Sequence, residues 1–134
     1  MTDELRLILD HVSLSVADLS ASREFYEQLF EPLGIEVVAD FPADVTGVAT
    51  TGFGFGRKGS FWLVERGQQS PATHICFRAK SRVEVRAFHA AGIAAGGTDN
   101  GEPGVREIYH PEYYAAFVLD LEGHNVEAVC FEHE

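Results

Sequence analysis

Two histidines and one glutamate occupy similar places in three short apolar segments. They are His11 in LDHVSLSV, His74 in THICF and Glu127 in GHNVEAV. In each segment polar and apolar residues alternate, which is typical of a half-buried β-strand, and the His or Glu lies opposite the apolar residues. Two imidazoles and one carboxylate suit a divalent metal such as Fe(II), Mn, Ni or Zn. We therefore predict a metal site formed by these three side chains.

Other side chains could move protons or bind a substrate beside such a metal. The segment YHPEYY contains His110, Tyr113 and Tyr114 just before another strand-like segment. Each of the three is a candidate general acid or base, or a donor to a reacting oxygen. Arg78 falls on the same face of its strand as His74, where a guanidinium would suit an anionic substrate group.

The first half of the chain reads as one strand, one helix and three further strands. Apolar residues in 19–33 recur with helical spacing, with Asp18 or Ser20 available as the N-cap and Gly34 as the end. Gly, Pro and Lys then separate strand-like segments. These segments are 35–39, 45–55 and 60–65.

The second half repeats this order. A strand begins at His74, a helix covers 81–91, and further strands follow at about 104–109, 113–120 and 125–131. His11 precedes the helical Phe25 by the same distance as His74 precedes Phe88, which indicates an internal repeat. We therefore predict one domain over 1–134, with βαβββ modules at about 7–68 and 71–132.

Composition limits the class of protein and the partners. A chain of 134 residues with 46% hydrophobic and 23% charged residues is typical of one globular domain. A formal net charge of −11 with only ten Lys and Arg residues argues against nucleic acid or an anionic membrane as a partner. No segment approaches the about 20 apolar residues of a membrane span, and the N-terminus lacks a signal-peptide pattern. We therefore expect a cytoplasmic protein with a small-molecule substrate.

The two cysteines are expected to be reduced. Cys76 shares the face of His74, whereas Cys130 lies on the opposite face of its strand from Glu127. A disulfide between them is therefore not expected.

The whole pattern resembles the vicinal oxygen chelate superfamily, which includes glyoxalase I, extradiol dioxygenases and bleomycin resistance proteins. Its most specific part is the run FVLDLEGHNVE at 117–127, which is similar to the family's strand, Asp-x-x-Gly turn and final strand with a metal-binding Glu. The resemblance implies an α+β fold in which two βαβββ modules form a curled mixed sheet around a metal-binding cleft. It also implies a homodimer.

The resemblance assigns the same three metal ligands: His11 in the first strand, His74 at the start of the second module and Glu127 in the last strand. Glyoxalase I has a fourth ligand, a Glu in the last strand of the first module, where Trp62 is the nearest matching position here; the resemblance therefore implies that this ligand is missing unless Glu65 reaches the site. Three ligands resemble the set of extradiol dioxygenases, although the dioxygenase signature has Tyr in place of Phe117 and Pro in place of Leu121.

Two functions follow from the resemblance. The first is a metal-dependent enzyme that chelates two adjacent oxygens of a small substrate, with dioxygenase chemistry slightly favoured over lyase or isomerase chemistry. The alternative is a non-catalytic protein that sequesters an antibiotic or similar ligand. In either case aromatic residues are expected to line the cleft and bind the ligand. These residues are Trp62, Phe53 and Phe55.

Overall fold

In the part of the chain that the structure describes, the fold has eight strands and three α-helices, with a short 3-10 helix after the first of them. A computed structural model describes residues 8–67 and 73–133 of the chain. Within these ranges, no helix has the length and apolar composition needed to cross a membrane. The elements in chain order are β1 (Val12–Val16), α1 (Leu19–Phe30), the 3-10 helix (Glu31–Leu33), β2 (Glu36–Phe41), α2 (Ala43–Thr46), β3 (Thr50–Phe55), β4 (Lys58–Glu65), β5 (His74–Arg78), α3 (Arg82–Ala94), β6 (Thr98–Val105), β7 (Tyr114–Leu119) and β8 (Asn125–Cys130).

The strands form two four-stranded mixed sheets of the same topology. The first sheet has the order β1-β4-β3-β2 and the second has the order β5-β8-β7-β6. The first and last strands of each half pair in parallel, and the other pairs are antiparallel. The predicted α+β class and its two similar halves are therefore confirmed. The sheets are curled but not closed.

The first helix forms as its residue spacing predicts. The side chain of Asp18 accepts a hydrogen bond from the backbone N of Ala21 and caps the start of α1. The buried face of α1 carries Phe25, Tyr26, Leu29 and Phe30. The following 3-10 turn ends at Gly34, whose φ of 76° lies in the left-handed region that glycine adopts without steric cost.

Both sheets contribute their apolar faces to one hydrophobic core. Phe77 of β5 packs against Phe30 of α1 and Phe61 of β4, with ring centroids 4.8 and 5.4 Å apart. The hydroxyl of Tyr26 in α1 also donates a 2.5 Å hydrogen bond to the buried Asp120 of the second half. The two halves are therefore joined through their apolar sides, and the polar face of each sheet points away from the core.

Two strands differ from the sequence expectation. The strand predicted at 45–55 begins only at Thr50, because α2 occupies the preceding residues. The strand predicted at about 104–109 instead covers Thr98–Val105, a segment that reads as a loop in the sequence because it contains Asp, Asn, Pro and Gly. Pairing with β7 holds it as a strand, with register shifts between Asp99 and Gly104.

Candidate functional site

Glu127 is the buried centre of a polar cluster on the second sheet. It lies in β8 with 1% of its surface exposed. Its Oε1 is 2.7 Å from Nε2 of His74, and its Oε2 accepts a 2.6 Å hydrogen bond from the hydroxyl of Tyr113. Cys76, whose Cα pairs with that of Glu127 across the strands, also hydrogen-bonds to the carboxylate through its side chain. We call these four residues the Glu127 cluster.

The hydroxyl of Tyr113 and the thiol of Cys76 both have raised pKa values. Burial raises the pKa of the Tyr113 hydroxyl, and the hydrogen bond and charge of Glu127 raise it further. Burial, followed by the charge of Glu127, raises the pKa of the Cys76 thiol to about 12. Both groups are therefore protonated at neutral pH and can donate hydrogen bonds. A carboxylate removed from water requires such donors, because a buried charge without partners is strongly destabilising.

His11 lies apart from the Glu127 cluster, immediately before β1 of the first sheet. Its Nδ1 is 2.8 Å from Oδ2 of Asp10, and that carboxylate also binds Nζ of Lys58. In the described residues, His11 does not form a group with His74 and Glu127 that could hold a metal. The structure thus brings His74 and Glu127 together and leaves His11 separate.

The three residues considered for proton transfer have different surroundings. Tyr113 contacts Glu127. Tyr114 faces the opposite way, with the guanidinium of Arg82 4.7 Å from the centre of its ring. His110 accepts a hydrogen bond from the backbone N of Glu112 within its own loop. Of the three, Tyr113 is the one whose side chain contacts the Glu127 cluster.

A mostly apolar cavity of about 360 Å³ lies between residues 9–12 at the start of the first sheet and residues 75–78 of β5. Phe55, which is 64% exposed, borders it. Arg78 also lines the cavity, and its guanidinium lies 4.8 Å from the centre of the Phe131 ring. The cavity therefore places His11 and Cys76 along one opening that could admit a small molecule.

The two other aromatic residues predicted to bind a ligand lie on opposite faces of the first sheet. Phe53 has no exposed surface and packs against Tyr26, Phe30 and Phe61 in the core. The Phe53 side chain therefore has no exposed surface with which to contact a ligand. Trp62 lies on the polar face, where it is half-buried.

Residues 8–128 match the model of the Glyoxalase/Bleomycin resistance protein/Dioxygenase superfamily. This range includes all four members of the Glu127 cluster and almost all of both sheets. The chain belongs to this superfamily. The resemblance seen in the run 117–127 is thereby confirmed. A search of curated proteins finds no significant match.

Solved structures of the glyoxalase/bleomycin resistance protein/dioxygenase superfamily have the same fold. A glyoxalase/bleomycin resistance protein from Albidiferax ferrireducens T118 is 30% identical, with 92% of this chain and 98% of that chain covered and a TM-score of 0.75. Glyoxalase I from Zea mays is 19% identical over 90% of this chain and 43% of that chain, with a TM-score of 0.70. A family enzyme from Burkholderia phytofirmans PsJN is 18% identical over 92% and 98%, with a TM-score of 0.67.

Members of the glyoxalase/bleomycin resistance protein/dioxygenase superfamily commonly bind divalent metals, and His74 with Glu127 fits two positions on such an ion. Ligands about 2.1 Å from an ion and at right angles to each other lie about 3 Å apart. The 2.7 Å separation of Nε2 and Oε1 is close to that spacing. In the described part of the chain, however, no group of three or more His, Cys, Asp or Glu side chains could hold a metal.

Two features of the site were not assigned a role from the sequence. The sequence predicts only that Cys76 is reduced, although its position two residues after His74 places both on one face and indicates a contact with the site. The contact between Tyr113 and Glu127 has no signal in the sequence, because it depends on where the loop before β7 folds over β8.

Proposed function

We propose that this protein is a divalent-metal-dependent enzyme acting on a small substrate that offers two adjacent oxygens, with His74, Glu127 and His11 as the metal ligands. The observation that carries the proposal is the burial of Glu127 against an imidazole and a tyrosine hydroxyl at the polar surface of a sheet. Buried ionisable groups with specific charge partners are concentrated at functional sites. Superfamily membership supports the same type of function.

The chain's own residues would prepare this site in two ways. Tyr113 donates to Oε2 of Glu127, which fixes the carboxylate and leaves Oε1 directed toward His74. The raised pKa of Tyr113 keeps its single proton on the hydroxyl. To assist a reaction, the hydroxyl would turn this proton from Oε2 of Glu127 to the substrate oxygen on which negative charge develops. A bound divalent ion would supply Lewis-acid stabilisation of that charge.

The third ligand is proposed to come from a second copy of the chain. In the described part of one chain, His11 and Cys76 line the same cavity, but His11, His74 and Glu127 do not form a group that could hold a metal. In the described residues β1 and β5 are both edge strands that pair on only one side. Two copies that join these edges could place His11 of one chain beside His74 and Glu127 of the other.

Mixing two inactive variants tests this arrangement directly. His11→Ala and His74→Ala should each lose tight binding of Fe(II), Mn, Ni or Zn. When the two are unfolded, mixed and refolded together, half of the sites in each mixed dimer keep all three ligands, and metal binding should reappear. Elemental analysis and metal titration measure the recovery. The same procedure applied to His74→Ala with Glu127→Gln is the matched control and should recover nothing, because both changes affect the same half of the site.

A second candidate function is the sequestration of an aromatic ligand without catalysis. It is favoured by the mostly apolar cavity and by Trp62 at the position where glyoxalase I carries its fourth ligand. Metal content separates the two functions. Purified wild-type protein that takes up none of the four metals would reject the enzyme proposal and leave sequestration as the better account.

A further inference from the structure

Another cavity lies on the second sheet, beside the Glu127 cluster. It has a volume of about 330 Å³ and is formed by residues 105–109 and one residue of β7. Phe117, the residue of β7, pairs with Glu127 across the two strands, and paired residues of neighbouring strands point to the same face. The cavity therefore borders the face of the sheet that carries Glu127. Its lining residues are Val105, Arg106, Glu107, Ile108, Tyr109 and Phe117.

Two aromatic walls of this cavity contact members of the Glu127 cluster. The ring centroid of Phe117 lies 6.2 Å from that of His74, and the ring centroid of Tyr109 lies 5.1 Å from that of Tyr113. Tyr113 in turn donates its hydroxyl hydrogen to Glu127. A molecule in the cavity is therefore one side chain away from the cluster on two sides.

The cavity contains one cationic side chain, whose position is fixed by uncharged groups. Nη1 of Arg106 donates hydrogen bonds of 2.8 and 3.2 Å to the carbonyl oxygens of Gly104 and Ala115, and Nη2 donates one of 2.9 Å to that of Glu102. The guanidinium also lies 5.3 Å from the centre of the Phe117 ring. These contacts orient the guanidinium, but none of them brings a negative charge to it.

Arg106 keeps hydrogen-bonding capacity for a ligand. A guanidinium has five N–H donors, so three hydrogen bonds leave Nε and at least one further N–H available. In the described part of the chain, Arg106 forms no ion pair with a carboxylate. Asp99 of the same strand is engaged by Nε2 of His89 at 2.9 Å and by the backbone N of Gly101 at 3.0 Å. The positive charge in the cavity therefore lacks a direct counter-charge.

We infer that this cavity binds a small organic carboxylate with an apolar chain, whose carboxylate group accepts hydrogen bonds from Arg106. Guanidinium groups match the planar geometry of carboxylates, and charge-assisted hydrogen bonds of this kind are stronger than neutral ones. The apolar chain packs against Val105, Ile108 and Phe117, which supply the apolar lining that small-molecule sites typically have. Glu107 at the same cavity opposes the anion and makes the inference sensitive to a change of charge.

The inference deepens the proposed function by naming the class of substrate, and it rests on that function only for the reaction that would follow binding. The carboxylate site itself requires no metal. It also lies at β6 and β7, away from the edge strand β5 at which a second chain is proposed to join. Binding can therefore be measured in protein freed of metal by a chelator, so that failure of the carboxylate site and failure of the metal site are separate results.

The experiment titrates the full metal-free chain with hexanoate at low ionic strength and records the amide signals by nuclear magnetic resonance. We expect saturable shifts in the signals of residues 105–109 and 117. Hexanamide, which has the same chain without the charge, should bind about tenfold or more weakly, because a hydrogen bond to a charged group is lost. Hexylamine, which carries the opposite charge, should not saturate these signals.

Two variants with matched controls place the binding at this cavity. Arg106→Gln would also remove three hydrogen bonds of β6, so the decisive variants leave Arg106 unchanged. Ile108→Asp, at a side chain that is 87% exposed, should weaken hexanoate binding by about fivefold or more, because it adds a negative charge and removes an apolar wall. Val45→Asp, which makes the same change of charge at an exposed residue of α2 in the other half, should leave the affinity unchanged.

A second pair of variants tests the charge in the opposite direction. Glu107→Gln should tighten hexanoate binding by about two- to fivefold, the range expected from removing one exposed charge beside the anion. Glu24→Gln, at an exposed residue of α1, changes the net charge equally and should have no effect.

The inference is overturned if hexanamide binds as tightly as hexanoate, or if the signals of residues 105–109 do not shift. It is also overturned if Ile108→Asp and Val45→Asp change the affinity equally, because binding would then follow the net charge of the protein and not this cavity. In each of these cases Arg106 would serve only to hold β6 in place. Metal binding by the refolded mixture of His11→Ala and His74→Ala would not be affected by that result.

Discussion

Tyr113 and Tyr114 are adjacent in sequence but have opposite environments. The Tyr113 hydroxyl contacts Glu127, whereas Tyr114 packs beneath Arg82 and receives a 3.3 Å hydrogen bond from Arg86. The reason is the alternation of side chains across an extended backbone, which turns neighbouring residues to opposite sides. A single-residue shift of this segment would exchange a proposed site residue for a packing residue.

Tyr113→Phe tests whether the hydroxyl assists a reaction once a substrate is known. The variant keeps every proposed ligand but loses the hydrogen bond that fixes Glu127, so its metal affinity should fall by about 10–100-fold at most. At saturating metal its kcat should fall by about 10²–10⁴-fold, the usual range for general acid or base assistance. Tyr114→Phe is the control of the same chemistry and should retain kcat. His110→Ala is measured in the same way. A large loss of kcat in His110→Ala alone would show that His110, and not Tyr113, assists the proton transfer.

The Cys76 thiol should affect stability at alkaline pH. In the unfolded chain it ionises near pH 9.0, whereas in the folded protein its pKa is about 12. Between these values the unfolded state loses its proton first, so its contribution to stability is complete below pH 9.0 and is lost as the pH rises toward 12. Urea unfolding at neutral pH and at about pH 10.5 should therefore show a smaller alkaline loss of stability for Cys76→Ala than for the wild type. Equal losses would contradict this.

At the level of elements, the turn between β7 and β8 joins the two halves of the molecule. Asp120 accepts hydrogen bonds from Tyr26 and from the backbone N of His124, while the carboxylate of Glu122 accepts from the backbone N of Ala17 and Asp18 at the start of α1. This turn therefore anchors β8, which carries Glu127, to the helix of the other half. Part of the family's sequence motif has a structural role beside the site.

The same turn contains a buried imidazole whose two ring nitrogens have no hydrogen-bond partner among the described residues. His124 is 1% exposed. A buried polar group without a partner typically costs about 1–3 kcal/mol, whereas an apolar side chain of similar volume avoids that cost. We therefore predict that His124→Leu leaves the free energy of unfolding unchanged or increases it by up to about 2 kcal/mol. His110→Leu, at an exposed histidine, is the control and should change little; clear destabilisation by His124→Leu would show that the ring has a partner.

On the scale of the whole molecule, the described part of one chain does not group His11 with His74 and Glu127 closely enough to hold a metal, so the proposed site needs a second copy. We predict a dimer at micromolar concentration, measured by light scattering or sedimentation, for the wild type and for His11→Ala alike. His11 is proposed to bind metal and not to hold the chains together, so its loss should leave the molar mass unchanged. A monomer that still binds metal tightly would contradict the shared site.

The sequence by itself predicts the two similar halves, the helices on 19–33 and 81–91, and the strands that carry His74 and Glu127. These predictions succeed because the spacing of apolar residues, every second position in a strand and every three to four positions in a helix, depends only on neighbouring residues. Asp18 and Gly34 also mark where the first helical segment begins and ends. The local signals fail for β6, where a segment rich in Gly and Pro becomes a strand only through pairing with β7.

Only the tertiary structure decided how the candidate residues are grouped. The sequence alternation does not say which face of β3 and β4 is buried. In the structure Phe53 packs in the core, whereas Trp62 lies on the polar face against Gly52 and Gly59. The contacts of Tyr113 and His74 with Glu127, and the position of His11 outside that group, depend on how distant loops and sheets pack together. Such contacts between distant segments depend on the packing of the whole chain, whereas a sequence pattern reports only on residues near one another.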